Sequence, residues 1–184
     1  MKIGIMSDTH GCLQGWEKAL GFFRECDLIL HAGDILYHGS RNPLPAGYDP
    51  NQLVKAINEL TLPLFVVRGN CDAEVEETVL QLPLMSPYFF SYIDGIRILM
   101  LHGHTLHNEN SLVETGLYYG ADVLVSGHTH RPAVQKKANL VLVNPGSTAL
   151  PKDDPAAVGV MDTETREVQL LKLEDGECIT RQSF

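Results

Sequence analysis

Five short fragments of this 184-residue chain hold five of its eight histidines. They are Ser7-Asp8-Thr9-His10-Gly11, Ala32-Gly33-Asp34, Arg68-Gly69-Asn70-Cys71-Asp72, Leu101-His102-Gly103-His104 and Ser126-Gly127-His128-Thr129-His130. Imidazole nitrogens mixed with carboxylate and amide oxygens suit borderline divalent ions such as Mn, Fe, Co or Zn. The donors Asp8, His10, Asp34, Asn70, His102, His128 and His130 are too many for one four-coordinate ion. They match two ions joined by a carboxylate, and such a pair clamps both the attacking and the leaving oxygen of a phosphoryl displacement. Hydrolysis of a phosphate ester is the expected chemistry.

Each fragment alone has a plainer reading. Asp8 and His10 are two apart, so in extended backbone both point to one face. Most D-x-H pairs are nevertheless a turn aspartate beside a surface histidine. His128 and His130 repeat the spacing, and Gly127 permits a close approach. Asp34 after Gly33 and Asn70 after Gly69 also suit ordinary turns or caps. His102 suits a residue that closes a strand. It is their coincidence at five strand ends that argues for a site.

The elements that must position them follow from periodicity. Residues 1–6 read as a buried strand. Leu13, Trp16, Leu20 and Phe23 mark an amphipathic helix over 13–25. A strand at 27–31 precedes a Gly-, Pro- and Asn-rich loop at 37–50. Leu53, Ile57 and Leu60 mark a second helix, and a third strand covers 64–67. A hairpin is expected from 88–93 and 96–102 around Asp94-Gly95, then a helix at 108–119 and a strand at 122–126. Strands at 133–137, 140–143, 157–161 and 167–173 follow, and 179–184 reads as a loose tail. The whole of 1–184 is expected to be one domain. The pattern predicts the α/β class, two sheets packed together with helices outside. Each motif follows an apolar strand, where ligand sites of open α/β sheets gather.

Hydrophobic content of 44% and charged content of 20% are ordinary for a soluble globular chain. No apolar run approaches the ~20 residues that span a bilayer, and residues 3–6 are too short for a signal peptide. No membrane role is expected, and the cytoplasm is the expected location. A net charge of −9 argues against non-specific nucleic-acid binding. Two divalent ions on two aspartates would still leave roughly +2 locally, enough to draw in a small anion. Cys12, Cys26, Cys71 and Cys178 are scattered without a C-x-x-C pair, so reduced thiols are expected.

In order, D-x-H, G-D, G-N-x-D, H-G-H and G-H-T-H resemble the calcineurin-like metallophosphoesterase superfamily from Asp8 to Ser147. His38-Gly39, Arg41-Asn42, Cys71 and Asn144-Pro145-Gly146-Ser147 narrow the resemblance to its small bacterial YfcE-type phosphodiesterases. The resemblance implies a four-layer α/β/β/α sandwich of two mixed sheets with flanking helices. It also implies two divalent ions, Mn foremost, with Fe, Co, Ni or Zn as alternatives. One would be held by Asp8, His10 and His130, the other by Asn70, His102 and His128, with Asp34 bridging. A metal-bridging hydroxide would attack phosphorus in line while the metals neutralise phosphoryl charge. Asn70, Cys71, Asp72 and His104 form the implied catalytic group.

Two departures from the family pattern bear on the substrate. Many members carry histidine where Cys71 stands, and that histidine is the usual proton donor to the leaving group. A thiol titrates near ~8.5 and is a poorer acid. Either good leaving groups are favoured or the proton comes from elsewhere, His104 being the near candidate. Cys71 as a small space-filler has equal standing. Asp72 is expected to orient a ligand or a water. Related protein phosphatases carry an arginine in G-D-x-V-D-R-G that grips a monoester dianion. Here His38 replaces it, and imidazole lacks the bidentate grip. Small phosphodiesters are therefore expected, with His38 and Arg41 binding substrate; a His38 packed away from the substrate is the alternative. His31 reads as a satisfied core histidine and His107 as a surface one.

Three rivals stand beside the diesterase. A catalytically silent scaffold of the same fold, like the retromer subunit, would show substitutions among the seven donors, and none is present. A phosphomonoesterase or a nuclease of the superfamily is the enzymatic alternative. The acidic balance and the lack of basic patches interleaved with aromatics speak against long nucleic acid. Homo-oligomerisation is implied by resemblance alone, and the apolar stretch 82–90 suits either a partner face or an edge strand.

Overall fold

Strand β1 (Lys2–Met6) is apolar on both faces because both faces are covered. The computed structural model describes residues 1–82, 86–106 and 108–184. Ile3 and Ile5 point between two sheets, whereas Met6 joins Trp16 and Ala19 of α1 (Leu13–Phe22) on the outside. Gly4 makes room there, since a Cβ would sit 2.7 Å from the Phe23 ring. The same alternation sends Leu28 and Leu30 of β2 (Leu28–His31) inward and Ile29 outward.

One sheet has six strands in the order β11-β10-β9-β1-β2-β3. Its other members are β3 (Leu64–Val66), β9 (Ala157–Asp162), β10 (Glu167–Lys172) and β11 (Cys178–Ser183). The second has five, in the order β4-β5-β6-β8-β7: β4 (Tyr88–Ile93), β5 (Ile96–Leu101), β6 (Val123–Val125), β7 (Pro132–Lys137) and β8 (Leu140–Pro145). β1, β2 and β3 run parallel, as do β5, β6 and β8, so both sheets are mixed. Ile96, Ile98, Met100, Val123, Val125 and Val141 face the first sheet across the central core. Fully burying such a side chain is worth about 1.5–3 kcal/mol, so this seam fixes how the two sheets meet.

Helices close the outer faces. α1 and α2 (Pro50–Asn58) cover the first sheet through Trp16, Leu53 and Ile57. α4 (Glu109–Tyr118) covers the second, laying Leu112 and Val113 on Leu99, Leu124 and Leu140. The result is the four-layer α/β/β/α sandwich. Asp49 and Asn108 cap α2 and α4, each accepting the amide three residues on. The Asp94-Gly95 turn has φ of 49° and 80°, as a two-residue type I′ hairpin requires.

Three readings need correcting. Residues 179–184 are not a loose tail: β11 pairs antiparallel with β10, and Ile179 and Phe184 pack on the central core. The helix at 13–25 stops at Phe22, because the Phe23 amide turns back to Leu20 O. β8 runs on through Asn144 and Pro145, which pair with Ala133 and Pro132. A short helix, α3 (Glu76–Val79), lies between β3 and β4. Of the apolar stretch 82–90, residues 88–90 belong to edge strand β4, where Tyr88 and Phe90 stay exposed; residues 83–85 lie outside the described residues, as does His107. No helix among the described residues is long and apolar enough to cross a membrane.

Candidate metal centre

Asp8 and His10 leave β1, Asp34 leaves β2, Asn70 follows β3, His102 follows β5, and His128 and His130 follow β6. All seven therefore collect beyond the carboxyl ends of parallel strands. Asp8, His10, Asp34, His128 and His130 share a left-handed backbone, with φ between 43° and 69°. Non-glycine residues pay for that conformation, of order 1 kcal/mol each, and hold it only where the surroundings impose it. The β1 and β2 loops impose it by cross-linking, with Asp8 N donating to Gly33 O at 3.0 Å and His10 N to Asp34 O at 3.1 Å. The motif glycines allow the crowding. A Cβ at Gly127 would lie 2.0 Å from Ser7 Oγ, and one at Gly69 would lie 2.1 Å from Asp34 Oδ1.

The donor atoms converge. His10 Nε2 and His130 Nε2 are 3.1 Å apart, with Asp8 Oδ1 at 3.6 and 3.2 Å from them. Asp34 Oδ2 lies 3.8 Å from His10 Nε2 and 3.4 Å from His102 Nε2, between two groups of donors. His102 Nε2 in turn meets Asn70 Oδ1 at 3.2 Å. The His128 ring stands 5.2 Å from that of His102, and its backbone N–H donates to Asp8 Oδ2.

Whether these residues fit cations is decided by where their protons go. Nδ1 of His10, His102 and His130 each faces a backbone carbonyl, those of Tyr37, Ala32 and Leu150, at 2.8, 2.7 and 2.6 Å. Each Nδ1 must carry a proton, so each ring, when neutral, turns an Nε2 lone pair inward. Two lone pairs then oppose one another at 3.1 Å between His10 and His130. A third opposes the Asn70 oxygen, whose amide nitrogen is turned to Cys71 Sγ. Asp8 Oδ1 is buried without a hydrogen-bond donor, although Oδ2 receives Ser7 Oγ–H and His128 N–H. Only shared protons or cations reconcile acceptors so arranged.

Charge follows the same logic. Burial works against the Asp8 carboxylate, but His10 and His130 outweigh it and hold the group far below the usual range. Burial likewise opposes charge on His102, yet Asp34 pushes it up to about 9. Burial and then His102 push His128 and His104 down.

Around the donors lies a cavity of about 900 Å³ whose wall includes Arg41, Cys71, His104, His128 and Lys152. Burial, then Asp34, pushes the Cys71 thiol up to about 12. Asp72 accepts the amides of Asp34, Ile35 and Gly69 at 2.8, 2.7 and 2.7 Å, so its carboxylate braces the Asp34 turn. Buried Glu76 sits beside it and is pushed up to about 8 by burial and by Asp72. His38, expected at the substrate, packs its ring between Tyr37 and Tyr48 and is not part of the cavity wall. Buried His31 takes Gly33 N–H on Nδ1 and meets Thr9 Oγ with Nε2, as a satisfied core histidine does.

Sequence reasoning missed several of these parts. Lys152 carries no motif; it reaches the cavity because the segment before it is tied down. Ser147 Oγ–H donates to Asp8 O and accepts the Ala149 and Leu150 amides, and Leu150 O meets His130. Asn144 Nδ2 donates to Gly127 O at 2.8 Å, which gives the late Asn-Pro-Gly-Ser segment its purpose.

A family model described as the calcineurin-like phosphoesterase superfamily domain matches residues 1–166. Phosphodiesterase YfcE of Escherichia coli K12 is 36% identical over 173 residues, covering 91% of each chain. A solved structure of Yfce, a phosphoesterase from E. coli, is similar with a TM-score of 0.86 at 33% identity, over 100% of this chain and 99% of that one. Vacuolar Protein Sorting 29 from Cryptosporidium parvum shares the fold alone, with a TM-score of 0.72 at 19% identity, covering 100% of this chain and 98% of that one.

Proposed function

Since the chain belongs to the calcineurin-like phosphoesterase superfamily, we propose that it hydrolyses small phosphodiesters with two divalent ions, Mn foremost. The observation that carries this reading is the set of opposed acceptors: three inward Nε2 lone pairs, the Asn70 oxygen and the orphan Asp8 Oδ1. When bound, the ions supply Lewis-acid charge to the phosphoryl oxygens and acidify water towards neutrality. Asp8, His10 and His130 would hold one, and Asn70, His102 and His128 the other. Asp34, within 3.8 Å of His10 and 3.4 Å of His102, is the residue suited to touch both.

The rest of the cavity supports a diester. Arg41 and Lys152 offer an anion two cationic side chains, while His38, at the position of the monoester-clamping arginine, packs on Tyr48 outside the cavity wall. Cys71, pushed up to about 12, keeps its proton at neutral pH and gives it up reluctantly. Leaving groups that depart as stable anions need that proton least. His104 borders the same cavity and is the imidazole nearest to serve instead. The four free cysteines suit a reducing compartment such as the cytoplasm.

Hydrolysis of bis(p-nitrophenyl) phosphate against p-nitrophenyl phosphate, with Mn added, tests the reading. The diester should turn over at least tenfold faster, and exhaustive chelation should abolish both rates. Equal or faster monoester turnover would refute the diester preference. Full activity after chelation would refute the metal centre.

A further inference from the structure

Behind the His104 and His128 rings lies a second cavity of about 580 Å³, and both rings also border the larger one. The metal donors thus sit at a two-lobed groove with an imidazole ridge between the lobes. The second lobe has an apolar floor: Leu142 is buried in the α4-side core, and Leu106 and Leu112 pack against it. Among the described residues its rim offers no unanswered charge, since Arg131 pairs with Asp153 at 2.5 Å and Glu109 with Lys137 at 2.8 Å. Two of its polar side chains are already engaged. Asn108 Oδ1 caps α4, and the Asn144 amide donates to Gly127 O and Thr129 Oγ. The exposed Gln135 amide on β7 lies at the edge beside Glu109.

We propose that this second lobe is a subsite for the ester group that stays on phosphorus, and that it takes an uncharged aryl or heteroaryl ring such as a nucleobase. The inference rests on the diesterase reading and adds the substrate class to it. A diester carries two substituents, and an in-line displacement sends one away from the attacking oxygen. Cys71, where many members of the superfamily carry the leaving-group donor, borders the larger cavity and not the second, and His104 on the ridge reaches both, so the departing group is placed in the larger one. The group that remains then falls on the other side of the ridge. An apolar floor with a neutral, sparsely polar rim disfavours a second anion and rewards a flat ring with a few hydrogen-bonding edges. The ridge imidazoles, 6.2 Å apart with their planes at 64°, offer face and edge contacts to such a ring. A methyl or glyceryl ester would leave the leucine floor wet.

The test holds the leaving group constant. Methyl, phenyl and thymidin-5′-yl p-nitrophenyl phosphates all release p-nitrophenolate and differ only in the group that stays. With the Mn-loaded protein, the phenyl and thymidinyl esters should show KM values at least tenfold below that of the methyl ester. Gln135→Trp, at an exposed strand position, should fill the lobe and erase that advantage while leaving the methyl ester unchanged. Ala133→Leu, two residues away on the same face of that strand, fills it from a second position. A metal-independent readout is saturation transfer to thymidine, expected in the wild type and lost in Gln135→Trp. Equal KM values for the three esters, an advantage surviving both fillings, or equal transfer in both proteins would overturn the inference and leave the diesterase standing. No turnover of any ester would overturn both.

Discussion

Asp72→Asn separates positioning from catalysis at a residue that the sequence motif places in the catalytic group. Its Oδ2 accepts the Asp34 and Gly69 amides and its Oδ1 the Ile35 amide, all within 2.8 Å. Asparagine keeps one oxygen, best spent on the two-amide side, and sets its NH2 against the Ile35 N–H. One buried amide is orphaned, at about 1–3 kcal/mol, and two charge-assisted bonds become ordinary, at about 1 kcal/mol more. The expected loss is therefore about 2–4 kcal/mol in urea unfolding, a large share of a typical domain's stability. Asp34 also accepts Cys71 N–H at 2.8 Å, so loosening this brace displaces the carboxylate proposed to touch both ions. Mn affinity should fall 10–100-fold, while kcat at saturating Mn stays within a few-fold of wild type. Stability within about 0.5 kcal/mol of wild type would refute the brace. A hundredfold kcat loss at saturating Mn, with stability intact, would make Asp72 catalytic instead.

Two further outcomes follow from the same surroundings. Cys71→His should speed hydrolysis of a diester with an alkyl leaving group tenfold or more, because an imidazole near neutrality protonates alkoxides better than a thiol held up at about 12; an unchanged rate contradicts this. Glu76, pushed from 4.5 up to about 8, keeps in the folded protein a proton that the unfolded chain releases, so stability should fall as pH rises through that window. Against Glu76→Gln, which cannot titrate, metal-free wild type should lose on the order of 2–4 kcal/mol between pH 4.5 and 8 in urea unfolding, and parallel profiles would contradict the assignment.

What was legible in the sequence was whatever periodicity or turn chemistry carries. β1, β2, β6 and β8 are buried on both faces, so each stands out as an apolar run ending at a motif. Asp94-Gly95 announces its hairpin because both positions need positive φ. β11 was hidden because only Ile179 and Phe184 reach the core, while Arg181 and Gln182 keep the edge polar. Four-residue α3 is too short for a helical period to show. At the site, strand ends gave away the donors, but loop paths did not announce themselves. His38 turns to pack with Tyr48, and Lys152 arrives on a segment fixed by Ser147 hydrogen bonds. Nor does any residue pattern reveal that carbonyls of Tyr37, Ala32 and Leu150 set the histidine tautomers.

Anomalous diffraction from Mn-loaded crystals addresses the paired-cation centre most directly. Two peaks per chain are expected, about 3.5–4 Å apart, with Asp34 in contact with both and Nε2 of His10 and His130 on one of them. A single peak, or two peaks with Asp34 touching neither, would contradict it.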